Sequence, residues 1–138
     1  MVKVLFICMA NLMRSQMAQG FYNSITNTKN AKSAGVLYYT ADNYNQPLPH
    51  VIDVMNEVNI DVSKHKVTTV TPEMVKKADR VIVMCKHSDA PIFVAHSKNV
   101  EFWDVSDPYR MNNKKLRDIR DLIKSKVENL IKEYDKLI

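Results

Sequence analysis

A cysteine and an Arg-Ser pair lie close together near the start of the chain. Cys8 follows the apolar run from Val4 to Ile7, and Arg14 and Ser15 come six and seven positions after it. A cysteine thiolate is a strong nucleophile, and the planar fork of arginine donors can hold two oxygens of a phosphoryl-like group. These residue types at this spacing therefore indicate attack by Cys8 on a tetrahedral oxyanion held by Arg14.

A strand and a helix are predicted on either side of this segment. Residues 2–7 are mostly β-branched or aliphatic, which is typical of a buried strand in a parallel sheet. The helical spacing of apolar residues over 17–25 predicts an amphipathic helix that begins near Ser15. Because the first turn of a helix has unpaired N–H groups and a positive dipole end, the preceding loop should bind an anion and favour the thiolate form of Cys8.

The rest of the chain alternates between predicted strands and helices. Polar residues over 38–49 predict the longest irregular loop, and Thr71 is the expected N-cap of the helix that Pro72 opens. The other predicted elements are a strand around 31–34, helices from Pro49 and over 72–78, a strand over 80–85, a helical segment over 92–95, a strand near 100–103 and a long helix from about Asn113. This order predicts an α/β fold, a single three-layer domain over 1–138 with a central parallel four-stranded sheet and helices on both faces. Ligands then bind at the carboxyl ends of the strands, where Cys8, Cys85 and the segment before Asp107 fall.

Two carboxylates near the end of the last predicted strand are candidates for proton transfer. If Cys8 displaces an alkoxide or phenoxide, the leaving oxygen needs a proton, which a carboxylic acid can supply. Asp104 and Asp107 both lie close enough in sequence to that strand. Asp107 is followed by Pro108, which stiffens the backbone there.

Several landmarks in the chain occur together in a known family. Besides Cys8 to Ser15, they are Ser33-Ala34-Gly35, Asn59-Ile60-Asp61-Val62-Ser63, the segment Ala78 to Met84, and Asp107-Pro108-Tyr109. In this order they resemble the low-molecular-weight protein tyrosine phosphatases and their thioredoxin-coupled arsenate reductase relatives. The resemblance covers nearly all 138 residues. It implies the flavodoxin-like topology of that family and favours Asp107 over Asp104 as the general acid.

The resemblance also implies a role for each residue of the site. It implies that Cys8, Arg14 and Asp107 are catalytic. It also implies that Leu12 and Tyr109 line the substrate cleft, together with one of the loop tyrosines Tyr38, Tyr39 or Tyr44. The resemblance further implies that the phosphate-binding loop comprises Met9, Ala10, Asn11, Leu12, Met13, Arg14 and Ser15. Asn11 is then expected in a left-handed turn, and the Ser15 hydroxyl is expected to donate to the Cys8 sulfur.

The chain departs from the phosphatase pattern at specific positions. Ala10 stands where phosphatases commonly have glycine, and Met13 stands where many have a second cysteine that can form a protective disulfide. Gln16 and the segment Trp103 to Pro108 are more similar to the arsenate reductases.

Three functions are compatible with these residues. Hydrolysis of phosphotyrosine or aryl phosphate needs only Cys8, Arg14 and Asp107. Arsenate reduction would use Cys8 with Cys85, which matches the first redox cysteine of the reductases, but Ile92 occupies the position of the second. An external thiol donor such as thioredoxin or glutaredoxin would then have to resolve the Cys8–Cys85 disulfide. Hydrolysis is therefore favoured over reduction, and both over a non-catalytic phosphate-binding module.

The charge distribution of the chain restricts the kinds of binding partner to be expected. The chain carries a net charge of +5, but residues 110–138 hold nine Lys/Arg against five Asp/Glu, interleaved with an apolar stripe, which indicates a solvated amphipathic helix. We therefore expect neither a nucleic-acid nor a membrane partner; the expected partners are a phosphorylated protein, a small aryl phosphate or arsenate.

The cysteine content and the start of the sequence bear on the cellular compartment. Two cysteines and no signal-peptide pattern fit a reducing cytoplasm. The four histidines show no metal-ligand spacing, so no metal or other cofactor is expected.

Overall fold

Four parallel strands form the centre of the computed structural model, which describes residues 2–137, with side chains to Tyr134. Strands β1 (Val4–Cys8), β2 (Ala31–Gly35), β3 (Arg80–Val83) and β4 (Val100–Phe102) lie in the order β2-β1-β3-β4. Strand β1 pairs with both β2 and β3, so Cys8 at its carboxyl end lies in the middle of the sheet edge.

Helices cover both faces of this sheet. They are α1 (Arg14–Thr26), α2 (Thr40–Asn43), α3 (Pro49–Asn56), α4 (Pro72–Lys77), α5 (Ile92–Ala95) and α6 (Asn113–Leu137), with a short 3-10 turn at His87–Asp89. Val4 and Phe6 of β1 pack into one apolar core with residues of α1, α3 and α6. Leu5 and Ile7 pack into a second core with residues of α4 and α5. The predicted three-layer α/β architecture with a parallel four-stranded sheet is confirmed.

Local signals in the sequence account for several helix ends. The Thr71 hydroxyl accepts a hydrogen bond from the Met74 N–H at 3.3 Å, as expected of an N-cap followed by proline at the first helical position. Helix α1 ends at Asn27, whose φ of 53° is the left-handed conformation that asparagine tolerates. These short-range interactions explain why the predicted boundaries lie within a few residues of the observed ones.

Three observed elements differ from the expectation. Strand β3 ends at Val83 rather than residue 85, because the Met84 carbonyl accepts a hydrogen bond from the Arg14 side chain instead of from a neighbouring strand. The loop over 38–49 contains the short helix α2. The apolar stripe predicted from Leu116 to Leu137 includes Leu122; most of the stripe faces the core, but Leu122 is exposed, and the side chain of Leu137 lies outside the described residues.

An ion cluster joins α6 to the end of α3. Arg117 donates to the Glu57 carboxylate through Nε and Nη2 at 2.9 and 2.8 Å. Arg120, which is largely buried, donates through Nη1 to Glu57 Oε1 and to the Val54 carbonyl, each at 2.8 Å. The hydrogen bonds from Arg117 and Arg120 lower the pKa of Glu57 to about 2. This cluster lies away from the edge of the sheet that carries Cys8.

Across residues 2–137, every helix is too short or too polar to cross a membrane.

Candidate active site

The segment from Cys8 to Ser15 forms a largely buried turn from the end of β1 to the start of α1. Cys8 ends β1 and is 2% exposed, while Arg14 and Ser15 open α1 and are buried. Within the described part of the chain, no side chain caps the N-terminus of α1. The first N–H groups of the helix and its positive dipole end therefore favour an anion in the loop.

Asn11 holds the loop in shape. Its φ of 60° is in the left-handed region, which asparagine adopts more readily than most residues. Its Nδ2 donates to the hydroxyls of Ser15 and Ser33 at 2.8 and 3.0 Å, and its Oδ1 accepts from the Thr68 N–H at 2.9 Å. Because Asn11 is fully buried, these bonds form in a low-dielectric environment where breaking one leaves a polar group unsatisfied.

The Asn11 contacts also determine which way the Ser15 proton points. Ser15 Oγ accepts from Asn11 and lies 3.0 Å from Cys8 Sγ. A hydroxyl has one hydrogen, so with Asn11 as donor Ser15 donates to the sulfur. A donor at that position stabilises a thiolate and also a sulfur that departs as a leaving group.

Gly35 allows β2 to pass directly beneath the loop. A Cβ at this position would lie 2.7 Å from the Ala10 carbonyl carbon and 2.8 Å from the Asn11 nitrogen. Both atoms belong to the backbone and cannot move aside without displacing the loop. The glycine is needed here for this close approach, since its φ is not positive.

Arg14 connects the loop to two other segments. Its Nη1 donates to the Met84 carbonyl after β3 and, at 3.0 Å, to the Val105 carbonyl after β4. Its Nη2 lies 3.8 Å from Asp107 Oδ2. With its plane set by two backbone carbonyls, the guanidinium is held where an anion in the loop would meet it.

Asp107 is exposed at the mouth of the cleft above Cys8. Its Oδ1 accepts from the Tyr109 N–H at 3.0 Å, which closes a turn of the loop that carries it. Asp107 lines the same cavity as Cys8 and Arg14. Asp104, the alternative carboxylate, lines a neighbouring groove and does not line this cavity.

The cleft above the loop is mostly apolar. Its volume is about 420 Å³, within the range of small-molecule sites. Of the three loop tyrosines, Tyr39 and Tyr44 line it, whereas Tyr38 points away and is 76% exposed. The remaining lining residues are Cys8, Met9, Ala10, Leu12, Met13, Arg14, Leu37, Thr40, Leu48, Asp107 and Tyr109.

Cys85 lines a second groove, of about 580 Å³, on the other side of Arg14. Met9, Arg14 and Asp107 line both cavities and separate them. Burial, and secondarily the electrostatic effect of Cys8 nearby, raises the pKa of the Cys85 thiol to about 11. Cys85 is therefore protonated at neutral pH in this conformation. Ile92, at the position where the reductases have their second redox cysteine, is 75% exposed.

Two residues that the sequence did not assign to the site support the loop from behind. Gln16 is fully buried, and its Nε2 donates to the Asn11 and Lys66 carbonyls at 3.0 and 2.9 Å. Its Oε1 lies 3.0 Å from His65 Nδ1. Because an amide oxygen can only accept a hydrogen bond, the His65 proton is on Nδ1. Burial lowers the pKa of His65. No spacing in the sequence indicated this pairing, since His65 is 49 residues from Gln16.

Among the described residues, no three His, Cys, Asp or Glu side chains are grouped so as to hold a metal ion.

Comparisons with known proteins identify relatives along the whole chain. A profile of the family described as low molecular weight phosphotyrosine protein phosphatase matches residues 3–137. Arsenate reductase 1 of Staphylococcus epidermidis is 35% identical over 128 residues, which span 91% of this chain and 92% of that protein. The structure of a low molecular weight protein tyrosine phosphatase from T. tengcongensis superposes with a TM-score of 0.82 at 25% identity, covering 96% of this chain and 99% of the other. A solved arsenate reductase in a phosphate-binding state gives a TM-score of 0.80 at 31% identity, covering 96% and 98%.

Proposed function

This chain belongs to the low molecular weight phosphotyrosine protein phosphatase family, and on that basis we propose that it hydrolyses phosphotyrosine or aryl phosphate monoesters. The observation that carries the proposal is the position of Asp107. Its carboxyl group lines the apolar cleft that Cys8 and Arg14 share, 3.8 Å from the Arg14 guanidinium. An ester needs a proton on its leaving oxygen, and a carboxyl group in this cleft supports Asp107 as the source of that proton.

In the first step, the Cys8 thiolate attacks phosphorus. A P–S bond forms, the P–O bond to the leaving group breaks, and protonated Asp107 donates its proton to the departing phenoxide oxygen. Arg14 and the N–H groups at the start of α1 stabilise the negative charge on the three other phosphoryl oxygens. The product is a cysteinyl-phosphate and the free phenol.

In the second step, water attacks the same phosphorus. Asp107, now a carboxylate, accepts a proton from the water as its oxygen bonds to phosphorus. The P–S bond breaks, inorganic phosphate leaves, and the electron pair returns to Cys8 as a thiolate. The hydrogen bond that Ser15 donates to this sulfur, 3.0 Å long, favours its departure.

The walls of the cleft support an aromatic substrate. Leu12, Tyr39, Tyr44 and Tyr109 surround the entrance to the loop. Apolar and aromatic side chains favour a ring by burial of its faces and by edge or offset stacking. A bare tetrahedral oxyanion would gain nothing from these walls.

The proposal is tested by hydrolysis of phenyl phosphate by the reduced protein, with a chelator present. We expect turnover by the wild type, and a loss of more than about 10⁴-fold in Cys8→Ser, because a serine hydroxyl is a far weaker nucleophile at neutral pH. Circular dichroism of Cys8→Ser serves as the control for folding. An intact, reduced wild type that does not hydrolyse the ester contradicts the proposal.

A second candidate, arsenate reduction, is favoured by the placement of Cys85 and by the arsenate reductases among the relatives. After Cys8 forms an adduct with arsenate and water is lost, Cys85 would attack the Cys8 sulfur. The As–S bond then breaks with its electron pair on arsenic, which falls from As(V) to As(III), and a Cys8–Cys85 disulfide forms. An external thiol donor must reduce that disulfide, because the chain has no third cysteine.

The environment of the Cys85 thiol makes reduction the weaker candidate. The Cys85 thiol is buried and its pKa is raised to about 11, so little of the attacking thiolate exists at neutral pH. Arsenate-dependent oxidation of thioredoxin or glutaredoxin tests this function. If Cys8 and Cys85 reduce arsenate, the wild type oxidises the thiol donor when arsenate is added, and Cys85→Ser does not. Full activity in Cys85→Ser contradicts a role for Cys85.

A further inference from the structure

A buried hydroxyl without a partner lies in the wall of the cleft. Thr40 opens the short helix α2, lines the cavity with Cys8 and Arg14, and is 3% exposed. Its Oγ1 is the only buried side-chain oxygen or nitrogen among the described residues that lacks a hydrogen-bond partner. Such an atom is rare in folded proteins because its lost hydration is not replaced.

Other threonines of the protein show how this hydroxyl could have been satisfied. Thr26 donates to the carbonyl of Tyr22 one turn earlier at 2.7 Å, and Thr71 accepts from the Met74 N–H as an N-cap. Thr69 donates to the Tyr38 carbonyl at 3.3 Å. Thr40 has neither kind of partner, so a hydrogen bond to a ligand would satisfy its hydroxyl.

The position of Thr40 limits what that ligand group can be. The phosphoryl group is expected on the loop from Cys8 to Ser15, and the described hydrogen bonds do not join Thr40 to that loop. Thr40 lies instead in the wall that also carries Tyr39 and Tyr44. A phosphorylated phenol ring has polar atoms only at its phosphate, so a polar partner must come from the part of the substrate beyond the ring.

We propose that the Thr40 hydroxyl hydrogen-bonds a backbone N–H or carbonyl group of a phosphotyrosine-containing peptide and thereby selects phosphorylated protein over simple aryl phosphates. The assignment rests on the proposed phosphatase function. A hydroxyl can both donate and accept, so either peptide group satisfies it. Because Oγ1 is buried in the free protein, this hydrogen bond requires rotation about χ1, for which a helical threonine has two accessible wells.

Binding to the Cys8→Ser variant tests this without turnover. Dissociation constants for a phosphotyrosine peptide, phenyl phosphate and inorganic phosphate are measured by calorimetry, with and without Thr40→Val. We expect Thr40→Val to weaken the peptide about 3- to 10-fold more than phenyl phosphate, the effect of losing one neutral hydrogen bond. Thr69→Val, which removes a hydroxyl that bonds the same loop, is the matched control and keeps the wild-type ratio. Thr40→Ser keeps a hydroxyl and restores the selectivity.

The melting temperature of the free protein provides an independent readout. Because valine has the shape of threonine without the unsatisfied oxygen, Thr40→Val is expected to melt about 1–4 °C higher. A lower melting temperature shows that the hydroxyl has a partner in the free protein and overturns the proposal. Equal weakening of the peptide, phenyl phosphate and inorganic phosphate also overturns it, since Thr40 would then act at the phosphoryl group.

These results separate the two proposals. An active wild type whose peptide selectivity is the same in Thr40→Val overturns only the assignment of Thr40. A wild type that hydrolyses neither the peptide nor phenyl phosphate overturns the phosphatase function, and absence of peptide binding to Cys8→Ser then overturns the assignment as well.

Discussion

The floor and the rim of the cleft are built in opposite ways. On the floor, Asn11, Ser15 and Gln16 are fully buried, and their side chains are joined by hydrogen bonds of 2.8 to 3.1 Å. On the rim, Asp107 and Tyr109 are exposed, and Asp107 is held by one turn hydrogen bond and one ion pair at 3.8 Å.

This difference separates two tasks. Stabilising the charge of a phosphoryl group requires donors that are already in place, because reorganising them would cost free energy at each turnover. Admitting a substrate and exchanging a proton with its leaving group require access to solvent. Substitutions on the floor should therefore change both stability and rate, and substitutions on the rim should change rate alone.

Apart from loss of the Cys8 nucleophile, the largest effect is expected at the rim. Asp107→Asn keeps an oxygen that can accept from the Tyr109 N–H but has no acidic proton to transfer, so kcat for phenyl phosphate should fall by about 10²- to 10⁴-fold. The free energy of unfolding should change by less than about 0.5 kcal/mol, as for other exposed positions. Steady-state kinetics and urea denaturation measure the two quantities.

Asp104→Asn is the matched control for this prediction, because Asp104 lines only the neighbouring groove. Its kcat should stay close to that of the wild type. A larger loss in Asp104→Asn than in Asp107→Asn would reverse the assignment of the general acid.

On the floor, Ser15→Ala should lower both rate and stability. The variant loses the hydrogen bond to the departing sulfur, which should reduce kcat by about 10- to 100-fold. It also removes one acceptor of the buried Asn11 amide, so the free energy of unfolding should fall by about 1–3 kcal/mol. Single-turnover kinetics would place the rate loss in breakdown of the cysteinyl-phosphate. Unchanged stability would mean that the floor is less constrained than its contacts indicate.

The ion cluster far from the cleft should affect stability only. The pKa of Glu57 is about 2 in the folded protein against an ordinary 4.5, so its contribution is fully present above about pH 4.5 and is lost as the pH falls towards 2. Glutamine is uncharged at every pH, so acid cannot remove a charge at position 57 of Glu57→Gln. The free energy of unfolding of this variant should therefore decline less steeply than that of the wild type between about pH 4.5 and pH 2. Denaturation at about pH 5 and pH 3 measures the difference. Hydrolysis of phenyl phosphate at neutral pH should not change.

Much of the fold was predictable because its signals are local. The apolar run that ends at Cys8, the capping residues Thr71 and Asn27, and the alternation of strands and helices each depend on neighbours a few residues away. They were sufficient for a four-stranded parallel sheet with helices on both faces. The short helix α2 was not predicted, since its four residues between tyrosines are too few to show a helical periodicity.

The sequence predicted the reactive groups of the site and the supporting roles of Asn11 and Ser15 within the same motif, but it did not predict the supporting contacts from distant segments. Cys8, Arg14 and Ser15 occur within one short motif, so their chemistry is visible in the sequence. The contacts of Gln16 with His65 and of Asn11 with Thr68 join residues about fifty positions apart. Nothing in the residue types marks such pairs, because any buried polar group can be satisfied by many partners.

The sequence by itself determined that a cysteine and an arginine lie at the two ends of one loop after a parallel strand, because strand, loop and helix are contiguous in the chain. Only the tertiary structure decided which carboxylate and which tyrosines share that cleft, since Asp104 and Asp107 differ by three positions in sequence but line different cavities. It also decided that Thr40 keeps a buried hydroxyl without a partner. Burial and hydrogen-bond satisfaction depend on how distant segments pack together.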